Sequence, residues 1–445
     1  MGRGFGAALS LMRKNIDIRS ASKGSAHHFF GFHDVCPWNT KGEMLLAHET
    51  NLINDPPRGV SISGKWEADA AGICVIDAKS GELRRIAETR AWNFQLGARL
   101  QWIPGTQNQA IYNDRRKDGK SISVIADAAT GKKIKELEHL VYAVSPGGDF
   151  ALSIDFGELV GGYSYTVLNI GGGPELQGVD DPFRREKDTG IFKINLETGE
   201  QKTIVFTYDV ATKDHSPTPE EHHVLTHVAF NPSGTRICFI DKYRLPDGGF
   251  MQRLVTANPD GSATHVFPGH VTHFCWRNDE EIFAYGKLSP RLMSLRNRGV
   301  FQNPILKPLL NIARKMRGSF KQKIAGQGYL LFKDGAQSVE RVAVGAMTED
   351  GHPSFSPDGK WLITDTYPDK NHERTLILYD WENKERIDLG KFKSLPPGVS
   401  DSWDVSQMRC DLHPRWNRAG TKICIDSVHE GTRQMYVINL EKVVN

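Results

Sequence analysis

The sequence has no long apolar run, no excess of charge of one sign and no paired cysteine spacing. Without an apolar stretch of about 18 residues or more, no transmembrane helix is expected. In 445 residues, 56 lysines and arginines stand against 53 acids, a net charge of +3. That balance gives no global case for nucleic-acid binding, which calls for a basic face or a pI above about 9. The six cysteines are scattered, which points to a reduced, cytoplasmic setting rather than a disulfide framework. An apolar patch, Phe5 to Met12, is followed by Arg13 and Lys14 with no small-residue cleavage site, so no signal peptide is expected.

What is abundant is repetition. The phrase His413-Pro414-Arg415-Trp416 before Asn417-Arg418-Ala419-Gly420 recurs as His352…Phe355 before Ser356-Pro357-Asp358-Gly359. It recurs again as His227…Phe230 before Asn231-Pro232-Ser233-Gly234, and as His273…Trp276 before Arg277-Asn278-Asp279-Glu280. Three further copies keep the apolar position and the turn without the histidine: Val35…Trp38, Arg99…Trp102 and Val141…Val144. Each is followed by an apolar strand and then by a second hairpin, with turn signals such as Asp77-Ala78-Lys79-Ser80-Gly81. Asp and Asn bond their own backbone in such turns, and Gly accepts the left-handed conformation. Seven units of four strands, at roughly 40–60 residues each, predict an all-β fold, a seven-bladed β-propeller in a single domain spanning 1–445. The last unit lacks a fourth strand, and Asn15-Ile16-Asp17-Ile18-Arg19 is predicted to supply it and close the ring.

One segment departs from the pattern. From Ile282 to Phe332 there is no acidic residue, yet ten lysines and arginines fall there. Pro308 suits a first helical position, and Leu309, Ile312, Ala313 and Met316 share a helical face. A basic helical insertion in blade five, residues 287–330, is expected. Three roles stay open for it: a solvated helix over the rim, a wall for an acidic ligand, or peripheral contact with an anionic membrane.

In a propeller, the innermost strands line the central channel, and their first residues ring one mouth. Histidine at four of seven such positions, 227, 273, 352 and 413, points to a polar or metal site more than to packing. Cys410, three residues before His413, adds a thiolate candidate that favours zinc. His222, His223 and His270 leave the ligand set open. A second ring, His48, Asn113-Asp114-Arg115, Asp155, Asp241, Asp365 and Asp426, falls where the second strands end. These groups either tie down the next loop or orient the histidines. The densest polar-aromatic cluster is His27-His28-Phe29-Phe30-Gly31-Phe32-His33-Asp34, at the entry to blade one. Tyr112-Asn113-Asp114-Arg115-Arg116 and Gly161-Gly162-Tyr163-Ser164-Tyr165 are candidates for the same mouth, with arginine able to neutralise a carboxylate and tyrosine to move a proton.

Together with Pro37-Trp38, Trp92-Asn93-Phe94-Gln95, Leu100-Gln101-Trp102 and Arg409-Cys410-Asp411-Leu412-His413-Pro414-Arg415-Trp416, that cluster resembles the seven-bladed propeller polysaccharide lyases of the ulvan lyase type. The chain resembles the cytoplasmic oligogalacturonate lyases more distantly. The likeness covers most of the chain apart from the basic insertion. It implies cleavage of a uronic-acid-containing glycan by β-elimination, in which an arginine or metal neutralises the carboxylate and a histidine or tyrosine removes the C5 proton. Carried over, His28 is the base, His48 and Arg115 sit at the carboxylate, and Tyr163 is the acid. His27, Asn113, Tyr165 and His227 would contact substrate. A zinc ion, with manganese as the alternative, would fall on His273, His352, Cys410 and His413. Phe94 stands where the family has a tyrosine. The expected partner is an acidic oligosaccharide or polysaccharide, and the expected state a monomer. The rival expectation is a non-catalytic propeller that binds a glycan or protein partner, with the insertion at a membrane surface.

Overall fold

The computed structural model describes residues 11–12, 16–51, 70–159, 189–213, 217, 221–245, 249–288, 326–395 and 409–444. They form seven antiparallel sheets of four strands, one of them extended to five. Each sheet is one of the predicted units in sequence order. Blade one runs through His27–Phe29, Met44–Thr50, Ala71–Asp77 and Leu83–Thr89. Blade five runs through His270–Trp276, Glu281–Lys287, Gln327–Lys333 and Val339–Arg341. The fold is therefore the all-β seven-bladed propeller. Among the described residues, helix is confined to short pieces such as Thr207–Ala211 and Glu441–Val444. None of these is long and apolar enough to cross a membrane.

Burial on both faces explains why the blades stack. The second and third strands of each blade are buried on both faces and read as near-continuous apolar runs, such as Ile237–Ile240 and Leu376–Tyr379. Their side chains fill the gaps between neighbouring blades, so that one cluster joins Leu152 and Ile191 of blade three to Val228 and Phe239 of blade four. Seven such interfaces leave no unit able to bury its faces alone. The outer strands are half exposed, as in Leu83–Thr89 and Lys133–Leu137.

The ring is closed by the N-terminal strand Asp17–Ser20, which pairs antiparallel with Gln434–Asn439 as the outermost strand of blade seven, Asp17 facing Asn439 and Ser20 facing Tyr436. A further strand, Leu11–Met12, lies parallel to the edge of blade six. The long connections all leave from one face, where inner strands begin and second strands end. Tyr163, Tyr165 and the helix expected at Pro308–Met316 lie outside the described residues.

Candidate functional site

The seven equivalent inner-strand positions are Val35, Arg99, Val141, His227, His273, His352 and His413. Three of them adopt the left-handed conformation although none is glycine: Arg99 at φ 52°, His227 at φ 57° and His413 at φ 44°. This geometry costs about 1–3 kcal/mol per residue and persists only where the surroundings hold it. In blades four and five the ladder skips register beside the histidine, between Thr226 and Ala229 and between Val271 and Phe274. Such a bulge re-aims one side chain.

The result is a cluster of rings on the axis. His352 lies between His273 and His413, with ring centres 4.4 and 4.5 Å away. His33, delivered by the loop entering blade one, lies 5.6 Å from His273, 5.5 Å from His352 and 6.0 Å from His413. Phe32 continues the stack to His227, 5.4 Å away. The hole is thus filled by rings, several of them imidazoles.

Each of three histidines is anchored through the same nitrogen. His273 Nδ1 meets Asp350 Oδ1 at 3.0 Å, His352 Nδ1 meets Asp365 Oδ1 at 2.8 Å, and His413 Nδ1 meets the Gly31 carbonyl at 2.8 Å. An oxygen acceptor there fixes the proton on Nδ1 and leaves the Nε2 lone pair to the site, the arrangement that metal-binding and basic histidines use. His413 Nε2 is buried with no hydrogen-bond partner, its nearest carboxylate being Asp411 Oδ2 at 3.7 Å. One ligand atom each from His352, Asp411 and His413 lies within 4.8 Å of the others. This donor set, two imidazoles and a carboxylate around an orphaned nitrogen, fits a divalent cation.

The charge states suit that use. Burial pushes the Asp411 carboxyl up, but Arg374 and Arg409 outweigh it and hold the group well below the usual carboxylate range. Burial, with the neighbouring imidazoles, keeps His33 and His413 far below the ordinary histidine value, so both are neutral. His273 differs. Burial lowers it too, yet the Asp350 carboxylate, with smaller help from Asp365 and Asp411, raises it above the ordinary value. His273 and Asp350 are also the more open pair, each side chain 16% exposed against 3% for His352 and 0% for His413.

Other expected residues fall elsewhere. Cys410 is buried, its Sγ contacts the Asp411 carbonyl at 3.7 Å, and burial pushes the thiol up to about 12. It is no thiolate and lies outside the three-residue group, where Asp411 stands instead, so the argument for zinc falls away. His48 has no surface and no free nitrogen: Nδ1 meets the Phe29 carbonyl at 3.2 Å, and Nε2 accepts from Ala98 N–H at 2.9 Å. Gly97 is glycine because a Cβ there would sit 2.4 Å from the His48 ring. His48 is a staple between blades one and two and does not reach a carboxylate. Asn113 is equally saturated, donating to the Val141 carbonyl and accepting from Val141 N–H and Ser123 Oγ, so it ties blade two to blade three. Arg115 donates from Nε to the Gly119 carbonyl of the hairpin turn it enters. His28 is buried between Gln434 Oε1, 2.9 Å from Nδ1, and Glu49 Oε2, 3.1 Å from Nε2. His27 accepts from Arg433 N–H, and burial, with Arg433, lowers it to about 4. His227 is on the axis, but beyond Phe32 from His413.

Three features went unread in the sequence. Asp411 is two residues from His413, beside a cysteine that looked the better ligand. Asp34 and Arg99 form a two-pronged ion pair at 2.8 and 2.9 Å, with Arg99 in the position that histidine fills in other blades. Buried pairs repeat between second-strand aspartates and arginines in or just before the third strand: Asp241 with Arg253, Asp365 with Arg374 and Asp426 with Arg433. The signal was present as an arginine 7 to 12 positions after each of those aspartates.

No protein-family model matches the chain. No curated protein matches it either. Solved structures do resemble it. An oligogalacturonate lyase in complex with manganese superposes with a TM-score of 0.60 at 11% identity, covering 97% of this chain and 96% of that one. The oligogalacturonate lyase from Vibrio parahaemolyticus superposes with a TM-score of 0.57 at 13% identity, over 97% and 96% of the two chains. At such identities the likeness shows the fold alone.

Proposed function

We propose that this protein is a lyase that cleaves a uronic-acid-containing oligosaccharide by β-elimination. The observation that carries the reading is the axial group itself. His352, Asp411 and His413 bring their ligand atoms within 4.8 Å, beside a His273 backed by Asp350. The same overall fold in a lyase solved with manganese supports it.

In this reading His352, Asp411 and His413 would hold a divalent metal, taken as manganese because a lyase of the same fold was solved with it. A metal bound there supplies positive charge beside the uronate carboxylate, which acidifies the C5 proton. His273 takes that proton. Its Nδ1–H is held by Asp350, its Nε2 lone pair is open, and the same carboxylate stabilises the imidazolium once formed. Thr272 Oγ1 and the Gly351 N–H also bond Asp350, which fixes its orientation. Asp365 does the same for His352, accepting from its ring at 2.8 Å and from its backbone N–H at 2.8 Å. Neutral His33 and Phe32 fill the axis below and keep bulk water from reaching the group through the channel. The proton for the leaving oxygen is assigned to Tyr163, from the resemblance. His28 as base gives way to His273 in this scheme, because both its nitrogens are engaged.

The test is direct. Purified protein is incubated with a panel of uronate oligosaccharides, with manganese or with chelator, and the ultraviolet absorbance of the unsaturated product is followed. Metal-dependent growth of absorbance is expected. Glycan binding with no absorbance on any member would favour the non-catalytic rival, and new reducing ends without absorbance would make the protein a hydrolase.

A further inference from the structure

The opposite mouth of the channel holds a cavity of about 730 Å³. Its wall is built by the turns that follow the inner strands, with residues from all seven blades, including Trp102, Trp276, Phe355 and Arg415. The volume lies within the roughly 300–1,000 Å³ of small-molecule sites. His33 closes its inner end and separates it from the metal-binding group.

Its chemistry is one-sided. Among the described residues, Asp34 is the one acid on the wall, and both of its oxygens are taken by Arg99. Arg277 is neutralised by Glu281 at 2.5 Å. Arg415 and Arg418, on blade seven, have no acidic partner among the described residues. Arg415 gives NH1 to the His33 carbonyl at 2.6 Å, while its Nε is buried with no partner. His227 Nδ1, on the same wall, is also buried without a partner. Leaving a buried polar group unpaired costs about 1–3 kcal/mol, so two on one cavity wall favour a ligand that pairs with them. Arg415 Nε is an obligate N–H donor, and two cations are uncompensated. Oxygen acceptors that carry negative charge meet both needs.

The geometry points to a second ligand site at this mouth, which takes a small oxyanion-bearing molecule of sugar size, a sugar acid or a sugar phosphate. It does not depend on the elimination reading, since none of His273, His352, Asp411 and His413 lines the cavity. Because Arg415 grips the His33 carbonyl and the His33 ring lies against His352, occupancy here also touches the packing under the metal-binding group.

Calorimetric titration of the metal-free chain with galacturonate, glucose 6-phosphate and inorganic phosphate tests the site, using the wild type and three variants. Binding of either sugar anion is expected, retained in His413→Ala and weakened ten-fold or more in Arg415→Gln and in Arg418→Glu. The preferred probe identifies the source of the anion. Arg418 is exposed and lies on a turn, so its variant keeps the test sound even if Arg415→Gln loosens the His33 loop. Binding that disappears in His413→Ala places the ligand at the axial group and overturns the proposal. Binding indifferent to both arginine changes, or no binding of any probe, overturns it as well and leaves the cavity to water.

Discussion

Blades one and two carry polar residues on their second strands and blades five to seven at the inner-strand position, and the two groups are used oppositely. His48 and Asn113 spend every ring or amide contact on holding adjacent blades together. His273, His352 and His413 spend one nitrogen on an anchor and keep the other for the axis. Residue type does not separate these groups. What separates them is whether the neighbouring backbone consumes their hydrogen-bonding capacity. Saturated groups act in stability, and half-saturated ones are free for chemistry.

The comparison can be broken first at the end to which the proposed function gives the chemistry. His273→Ala is expected to lower the elimination rate by about 10²–10⁴-fold, the usual worth of a general base, with metal content and melting temperature little changed. Rate measurements beside metal analysis check this, and a variant that loses its metal instead would move His273 into the ligand set. Asp365→Asn comes next. It removes the charge that orients His352, so metal affinity should fall by about 10–100-fold. Titration with manganese reads the effect.

How much of this was legible in the sequence follows the same division. The propeller was readable because the repeated strand-turn phrase aligns the blades by itself, and the histidines at 273, 352 and 413 stood out once aligned. Closure by Asp17–Ser20 was readable because the last unit is one strand short. Saturation was not readable. His48 and Asn113 look functional until Ala98 N–H and Val141 N–H are seen to occupy them. Those partners lie 50 and 28 residues away, on neighbouring blades. Asp411 was hidden by Cys410, a better ligand by residue type whose burial disables it. Arg99 was missed because it fills a histidine position with a different residue. Tyr163 and Tyr165 lie outside the described residues and stay as the resemblance left them.

The structural end of the comparison yields smaller effects. His48→Ala should destabilise the protein by about 2–4 kcal/mol, since it opens a cavity against Phe29 and strands the Ala98 N–H. The rate per folded molecule should stay within two-fold. Denaturant unfolding beside the elimination assay separates the two. Acid should act on the same staple. Burial lowers His48 from 6.5 to about 4, so the unfolded chain binds the proton more readily. Stability from this group is complete above pH 6.5 and falls as pH drops toward 4, by up to about 3 kcal/mol. His27, lowered to about 4 by burial and Arg433, adds in the same direction. Unfolding midpoints between pH 7 and 4 should decline less steeply in His48→Ala than in the wild type.

The most direct measurement pairs metal content with product absorbance in one preparation. Manganese-loaded wild type and His273→Ala are each given an oligogalacturonate. The account requires equal metal in both, unsaturated product from the wild type and almost none from the variant. Equal rates from the two proteins, or a wild type that binds no divalent metal while still forming the product, would contradict it.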